Sequence, residues 1–300
     1  MVNPNQTLFI IQDVGRCDNN AKIIAVLEEM NQQYITIGNI PFTDIYTNFT
    51  EDNVIKIMSY NKFVCFSSIK MLRGFCDVFY STPVMVNEYH EPLAEEVQEI
   101  LHAKIGSGYW YSRLGFNQNV YGQDPSYFLN ADAEYYLLSE LKTGIKFESD
   151  KFVKPSSDLK WFTADIMYAG QTINDFLTRQ ITMSDIHEGS FDTTVMVAGV
   201  KDVSKMVEIR TFVINGDVVA GSFYGLNSNR GTEEMFTKAI EWEVCYLQKC
   251  NRLPAQSFVL DMCYNLDTEE IRIVEFNCIN CSGVYDSDLY ELIAGLVWES

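Results

Sequence analysis

The sequence predicts an α/β protein that becomes α+β in its C-terminal half. Three observations predict this. In the first third of the chain, short apolar runs alternate with segments of helical periodicity, the pattern of a parallel sheet with crossover helices. After Gly144 the texture changes to short strands separated by turn signals. Within that half, Asn215-Gly216 sits between two alternating runs. This is a hairpin signature, because Asn-Gly supplies the positive φ that a two-residue turn needs. The chain has 300 residues, 47% hydrophobic and 21% charged, enough for a sizeable core and two domains. We place the domains at 1–125 and 126–300.

Thr7 to Val14 reads as a buried strand, and Ala21 to Met30 as a helix with Ile24, Leu27 and Met30 on one stripe. Tyr34 to Ile40, Lys62 to Ser67 and Pro83 to Asn87 supply further strands, with a short helix from Ile69 to Phe75. A helix is expected from Pro92 to Ala103, then an aromatic, Gly-rich connector from Ser107 to Tyr127, then a helix from Ala131 to Leu141. The second half reads as strands around KFVKP, TTVMVAGV, EIRTFVINGDVVAGSFYG and SFVLDMCYNLDTEEIRIVEFN. Two helices interrupt and close it, Glu233 to Lys249 and Asp288 to Trp298. No internal repeat is visible.

Lys and Arg total 22 against 41 Asp and Glu, a net charge of −19. So acidic a surface repels phosphate backbones, so non-specific nucleic-acid binding is not expected. No apolar run is long enough for a transmembrane helix. The opening MVNPNQTLFIIQDVG has no basic segment ahead of its apolar run, so no signal peptide is expected. The eight cysteines are scattered, as in a cytoplasmic protein with reduced thiols.

The last hairpin carries the most chemistry. Asp261 interrupts one apolar strand and Glu275 the other, with Asn277 two residues on. Residues two apart share a face, so Glu275 and Asn277 point the same way. If Asp261 opposes Glu275 or Ile273, it joins them, and a one-residue slip would send it to the other side. Val274 and Phe276 then belong on the buried face. Facing carboxylates repel unless something neutralises them, and Mg²⁺ suits hard oxygen ligands. The alternative is that both are exposed edge residues, or pair with Arg272. Upstream, Glu208 and Arg210 share a strand face, where a guanidinium fork can hold a phosphate. Lys154 ends an apolar strand before Pro155-Ser156-Ser157, with Lys160 in the same loop, and either lysine can act as a point charge on phosphate.

In this order, these segments resemble the ATP-grasp superfamily, over roughly Phe147 to Ser300. The most specific parts are EIRTFVINGDVVAGSFY and VEFNCINCSGVYDSD running into a terminal helix; they look like a compact bacterial and phage ATP-grasp clade. The resemblance implies two α+β subdomains that hold ATP between them, after an N-terminal α/β domain. It implies Asp261, Glu275 and Asn277 as Mg²⁺ ligands. It implies Lys154, Lys160, Glu208 and Arg210 on the nucleotide, with an adenine hinge over Met196 to Asp202 that includes Val197, Ala198, Val200 and Asp202. The implied reaction is ATP-dependent ligation of a small-molecule or peptide carboxylate to an amine through an acyl phosphate. Lys154, Arg210 and Arg230 would carry the catalysis, Arg230 by holding the carboxylate or acyl phosphate. The loop PSSDLKWFTAD departs from the family in lacking glycine. Other readings of the same cradle are a nucleotide-binding module that acts through protein contacts, or a phosphoryl transferase. Cys278-x-x-Cys281 with Cys263 lacks a fourth ligand for zinc.

Overall fold

The computed structural model describes residues 6–13, 18–40, 43–76, 82–111, 116, 120, 125–156, 162–180, 193–225, 227–250 and 253–299. The N-terminal unit is a five-stranded sheet of β1 (Thr7–Gln12), β2 (Gln33–Asn39), β3 (Ile45–Thr47), β4 (Lys62–Phe66) and β5 (Val84–Met85), in the order β4-β1-β2-β3-β5. β1 pairs in parallel with both β2 and β4, as the alternating pattern predicts. The sheet is then extended by β3, antiparallel to β2, and β5, parallel to β3. Leu8 and Ile10 of β1 enter one core, Phe9 and Ile11 another, because a central parallel strand is covered on both faces.

The accompanying helices are α1 (Asp18–Glu29), α2 (Glu51–Ser59), α3 (Ile69–Phe75) and α4 (Glu95–Gly106). β3 and α2 add to the elements read from the sequence. α2 begins at Thr50, whose hydroxyl accepts from the Asn53 amide at 3.2 Å, ahead of Glu51 and Asp52. That cap with an acidic first turn is a start signal the sequence carries.

A second sheet, in the order β6-β9-β7-β8, is antiparallel throughout. It consists of β6 (Glu134–Leu137), β7 (Lys151–Pro155), β8 (Asp165–Met167) and β9 (Thr194–Gly199), with helices α5 (Leu138–Leu141) and α6 (Ile173–Gln180). The helix expected over Ala131 to Leu141 is therefore strand β6 followed by the short α5. Tyr135 and Tyr136 favour strands, and they pair with Met196 and Val195 on β9. The tertiary pairing overrides the helical spacing of the segment.

The third sheet has the order β11-β10-β12-β13 and is also antiparallel. Its strands are β10 (Met206–Ile214), β11 (Asp217–Tyr224), β12 (Phe258–Asn265) and β13 (Ile271–Asn277). Asn215 and Gly216, at φ 53° and 86°, form the turn between β10 and β11. Helix α7 (Glu233–Lys249) covers one face through Ala239 and Tyr246. Helix α8 (Leu289–Glu299) covers the other through Leu292, Ile293 and Leu296. That second core also takes Phe9, Ile11, Ile23 and Leu27 from the N-terminal unit. Sequence on both sides of residue 125 thus builds one core. Among the described residues, no helix is long and apolar enough to cross a membrane.

Candidate functional site

The site begins with an irregularity in the last hairpin. β12 and β13 pair Val259 with Asn277, Leu260 with Phe276 and Asp261 with Glu275; the register then shifts, and Met262 pairs with Ile273. Val274 is the extra residue of a β-bulge. Strict alternation would put Ile271, Ile273, Glu275 and Asn277 on one face. The bulge separates them. Ile271, Ile273 and Phe276 enter the core beneath α7, while Glu275 and Asn277 turn to the opposite face with Asp261. The expectation that Val274 joins Phe276 in the core is corrected: Val274 is only half-buried, and Ile273 takes that place.

Arg210 lies opposite Asp261 on β10. Its Nε and Nη2 donate to Oδ1 and Oδ2, both at 2.7 Å, and both residues are buried. Such two-pronged, charge-assisted pairs fix geometry as well as charge. Nη1 donates to the Gly283 carbonyl at 3.3 Å. The guanidinium carbon is 4.8 Å from the Tyr224 ring centroid and 5.2 Å from that of Tyr285, within cation–π range. The two rings stack at 5.1 Å. Asn277 Nδ2 donates to Asp261 Oδ2 at 2.8 Å and to Glu275 Oε1 at 3.0 Å. Lys154 Nζ, arriving from β7 in the other sheet, pairs with Glu275 Oε2. Two sheets therefore meet at one charged cluster.

Glu208 borders this cluster, two residues before Arg210. A Cβ at Gly225 would run into the Glu208 carboxylate, and Gly225 has φ +66°. The positive φ requires glycine there, and a side chain would also displace the Glu208 carboxylate. Burial, then the charges of Asp261 and Glu275, push the Glu208 carboxyl up against the pull of Arg210. Burial likewise pushes Asp261 up, opposed by Arg210. Burial draws Arg210 down, but Asp261 more than reverses this and raises it. Among the described residues, Glu208, Asp261 and Glu275 gather around the cations Arg210 and Lys154, an acid-rich set. Hard carboxylate oxygens favour a divalent cation, while Arg and Lys favour anionic groups.

The other predicted residues are distributed unevenly. Cross-strand pairing matches Lys154 with Met196 and Phe152 with Ala198, so Ala198 shares the Lys154 face. Val197 points the other way, into the core with Val153 and Val195. Val200 is exposed beyond the end of β9. Asp202 is exposed too, and its carboxylate accepts from the Ser204 amide at 3.0 Å. Lys160 lies outside the described residues. Arg230 is not brought to the cluster; its Nη1 donates to the Ser204 carbonyl at 3.2 Å.

Sequence reasoning missed Phe152 and Tyr135, which share the Lys154 face by register with Met196, the first residue of the expected hinge. Alternation from Lys154 would have found Phe152. Burial pushes the Tyr135 phenol up to about 12, so it stays protonated. Also missed was a cavity of about 270 Å³ beside Arg210 and Asn277, lined by Ile69, Cys281, Ser282 and Tyr285 among others. Ile69 comes from the N-terminal unit, and no local pattern announces that contact.

A family model for an ATP-grasp domain, the third family of its clade, matches residues 134–296. The comparison with curated proteins gives no match. Among solved structures, D-cycloserine synthetase DcsG is similar at 10% identity and a TM-score of 0.52, over 97% of this chain and 99% of that one. A RimK domain ATP-grasp protein from Sphaerobacter thermophilus is similar at 8% identity and a TM-score of 0.47, over 97% and 99%. D-alanine–D-alanine ligase from Helicobacter pylori is similar at 12% identity and a TM-score of 0.42, over 68% of this chain and 67% of that one. The likeness to DcsG is one of fold, and it takes in the N-terminal unit.

Proposed function

The chain belongs to the ATP-grasp domain family whose model it matches, and from that premise we propose that it is an ATP-dependent ligase. It joins a carboxylate to an amine or related nucleophile through an acyl phosphate, and converts ATP to ADP and phosphate. The observation that carries this reading is the meeting of Lys154 from one sheet with Arg210, Asp261, Glu275 and Asn277 from the other. The family membership supports it, as does the name of the similar structure DcsG, a synthetase.

Asp261, Glu275 and Asn277 would hold Mg²⁺. The donor chemistry fits: Asp261 and Glu275 supply hard carboxylate oxygens, and Glu275 keeps 25% of its side chain exposed. A flip of the Asn277 amide, whose O and N are assigned by hydrogen bonding, would add a third oxygen. When bound, the ion neutralises charge on the triphosphate. Lys154 holds a phosphate as a point charge, and Phe152, Met196, Ala198 and Tyr135 give the nucleoside an apolar face. The hinge through Val200 and Asp202 follows the end of β9, the strand that carries Met196 and Ala198, and is proposed to meet the base end of the nucleotide. The substrate carboxylate attacks the γ-phosphorus and ADP leaves; the amine then attacks the acyl carbon and phosphate leaves. Arg210 stabilises the charge on the acyl phosphate and on the tetrahedral adduct. Arg230, whose Nη1 is held by the Ser204 carbonyl away from the cluster, would have to leave that contact to hold the substrate carboxylate or acyl phosphate. Free thiols at Cys65 and Cys263 support a cytoplasmic site of action.

The test is thermal unfolding with Mg-ATP, followed by ADP release with candidate acids and amines. Nucleotide at about 100 times its dissociation constant adds about 2.7 kcal/mol. An unchanged melting temperature at millimolar Mg-ATP overturns nucleotide binding. ADP release that needs both co-substrates identifies a ligase. Release with one alone identifies a transferase, and binding without release identifies a module that only holds nucleotide.

A further inference from the structure

β13 ends on Asn277 and the loop after it carries Gly283, both in contact with the charged cluster, and the two line the cavity beside Arg210. The middle of that loop is fastened by Asn280, which is 2% exposed. Asn280 Nδ2 donates to the carbonyls of Cys65 at 2.7 Å and Gly108 at 2.9 Å. Its Oδ1 accepts from the Trp110 amide at 2.8 Å. The Asn280 carbonyl accepts from the Ser67 amide at 2.8 Å, and Cys65 N–H donates to Gly108 O at 3.0 Å. Every one of these partners belongs to β4, its C-terminal end, or the segment that follows α4. One carboxamide thus closes a gap between the N-terminal sheet and the loop that completes the site. A buried amide with both donors and its acceptor used fixes position sharply, because losing any partner strands a buried polar group.

We propose that Asn280 is a positioning residue, through which the N-terminal unit sets the placement of Asn277 and Gly283 and so the geometry of the Arg210–Asp261 pair. The N-terminal unit then serves as a template for the catalytic cluster, in addition to walling the cavity through Ile69. The proposal rests on the ligase reading only for its consequence in nucleotide binding; the positioning itself is a property of the free protein.

The test compares Asn280→Asp and Asn280→Ala with Ile57→Ala, a core truncation on α2 in the separate core that also holds Leu8 and Ile10. Asn280→Asp turns a donor facing two carbonyls into an acceptor, and Asn280→Ala removes all the side-chain bonds. If one variant does not fold, the other carries the test. The first readout is solvent exchange of the Arg210 Nε proton by ¹⁵N NMR, assigned with Arg210→Lys. The expected result is exchange at least tenfold faster in the Asn280 variants than in Ile57→Ala at matched distance below the melting temperature. The second is Mg-ATP affinity by calorimetry, expected to fall more than tenfold in the Asn280 variants and less than twofold in Ile57→Ala. Unchanged Arg210 exchange in the Asn280 variants overturns the proposal and makes Asn280 a structural residue. Faster exchange in a protein whose wild type binds no Mg-ATP supports positioning and overturns the nucleotide reading instead.

Discussion

The two faces of β10 bury charge in opposite ways. On one face Arg210 and Asp261 are both buried and satisfy each other with two hydrogen bonds of 2.7 Å. On the other, beneath α7, Glu243 is wholly buried with no cation paired to it among the described residues. Thr211 Oγ1 donates to its Oε1 at 2.8 Å, and its Oε2 has no hydrogen-bond partner among the described residues. Burial pushes the Glu243 carboxyl up to about 8, with Thr211 pulling the other way. Adjacent residues of one strand therefore show two solutions to the same desolvation cost: pairing on the Arg210 face, neutralisation on the Thr211 face. Pairing keeps charge in place, which a site for phosphates and metal needs. Neutralisation discards it, which a structural core tolerates.

The comparison breaks most severely at Arg210. Arg210→Met leaves Asp261 buried without its cation, and the expected loss is about 3–5 kcal/mol in urea unfolding. Replacing both partners, with Arg210→Met and Asp261→Leu together, should recover most of that loss, because apolar packing substitutes for the pair. If the single variant loses less than about 1 kcal/mol, the pair is not holding the sheet face, and the contrast with Glu243 disappears.

A smaller effect is expected on the Glu243 face, and it depends on pH. The folded carboxyl titrates near 8, against an ordinary value of 4.5. Between these values the folded protein holds a proton that the unfolded chain has released. Stability from this group is therefore full below about pH 4.5 and declines as pH rises to 8, by about 1.4 kcal/mol per unit at most. Above pH 8 the loss is complete. Glu243→Gln removes the titration, so its stability should exceed that of the wild type by on the order of 4 kcal/mol at pH 9. The two should converge towards pH 5. Parallel pH–stability curves for the two proteins would show that Glu243 is not the neutral buried acid described here.

Much of this contrast is legible in the sequence, and the reasons for the rest are physical. The Asn-Gly turn and the helix from Glu233 to Lys249 depend on local chemistry, and the structure places both where the pattern does. The pairing of Asp261 with Glu275 is one of the registers that the hairpin leaves open in the sequence, and it is the one observed. The bulge at Val274 is not legible, because an extra residue in a strand has no local signature; period-2 reasoning carries straight through it. β6 was hidden because an edge strand takes its identity from its partner, here Val195 and Met196. Asn280 and Ile69 depend on contacts across far separated parts of the chain, which no spacing rule encodes. Glu243 reads as one more acid on an amphipathic helix until its burial is known.

The smallest effect on the fold is expected at Glu275, where the comparison can be sharpened. Glu275 is acidic like Asp261 but 25% exposed, and its partner Lys154 is 12% exposed. Partly solvated pairs contribute about 1 kcal/mol or less. Glu275→Gln keeps an acceptor for Asn277 and removes one of three crowded negative charges, which offsets part of the lost ion pair. The expected change in stability is under about 1 kcal/mol by denaturant unfolding. The Glu208 carboxyl, held up partly by Glu275, should titrate lower in the variant, a shift that ¹³C NMR can follow. Turnover, by contrast, should fall more than a hundredfold, because the proposed metal site loses a charged ligand. A variant that unfolds would make Glu275 structural, as Asp261 is. A variant that turns over ATP like the wild type would remove Glu275 from the metal site and leave Asp261, locked on Arg210, as the sole carboxylate in it. That outcome would sever the link between retained charge and function on which the contrast between the two faces depends.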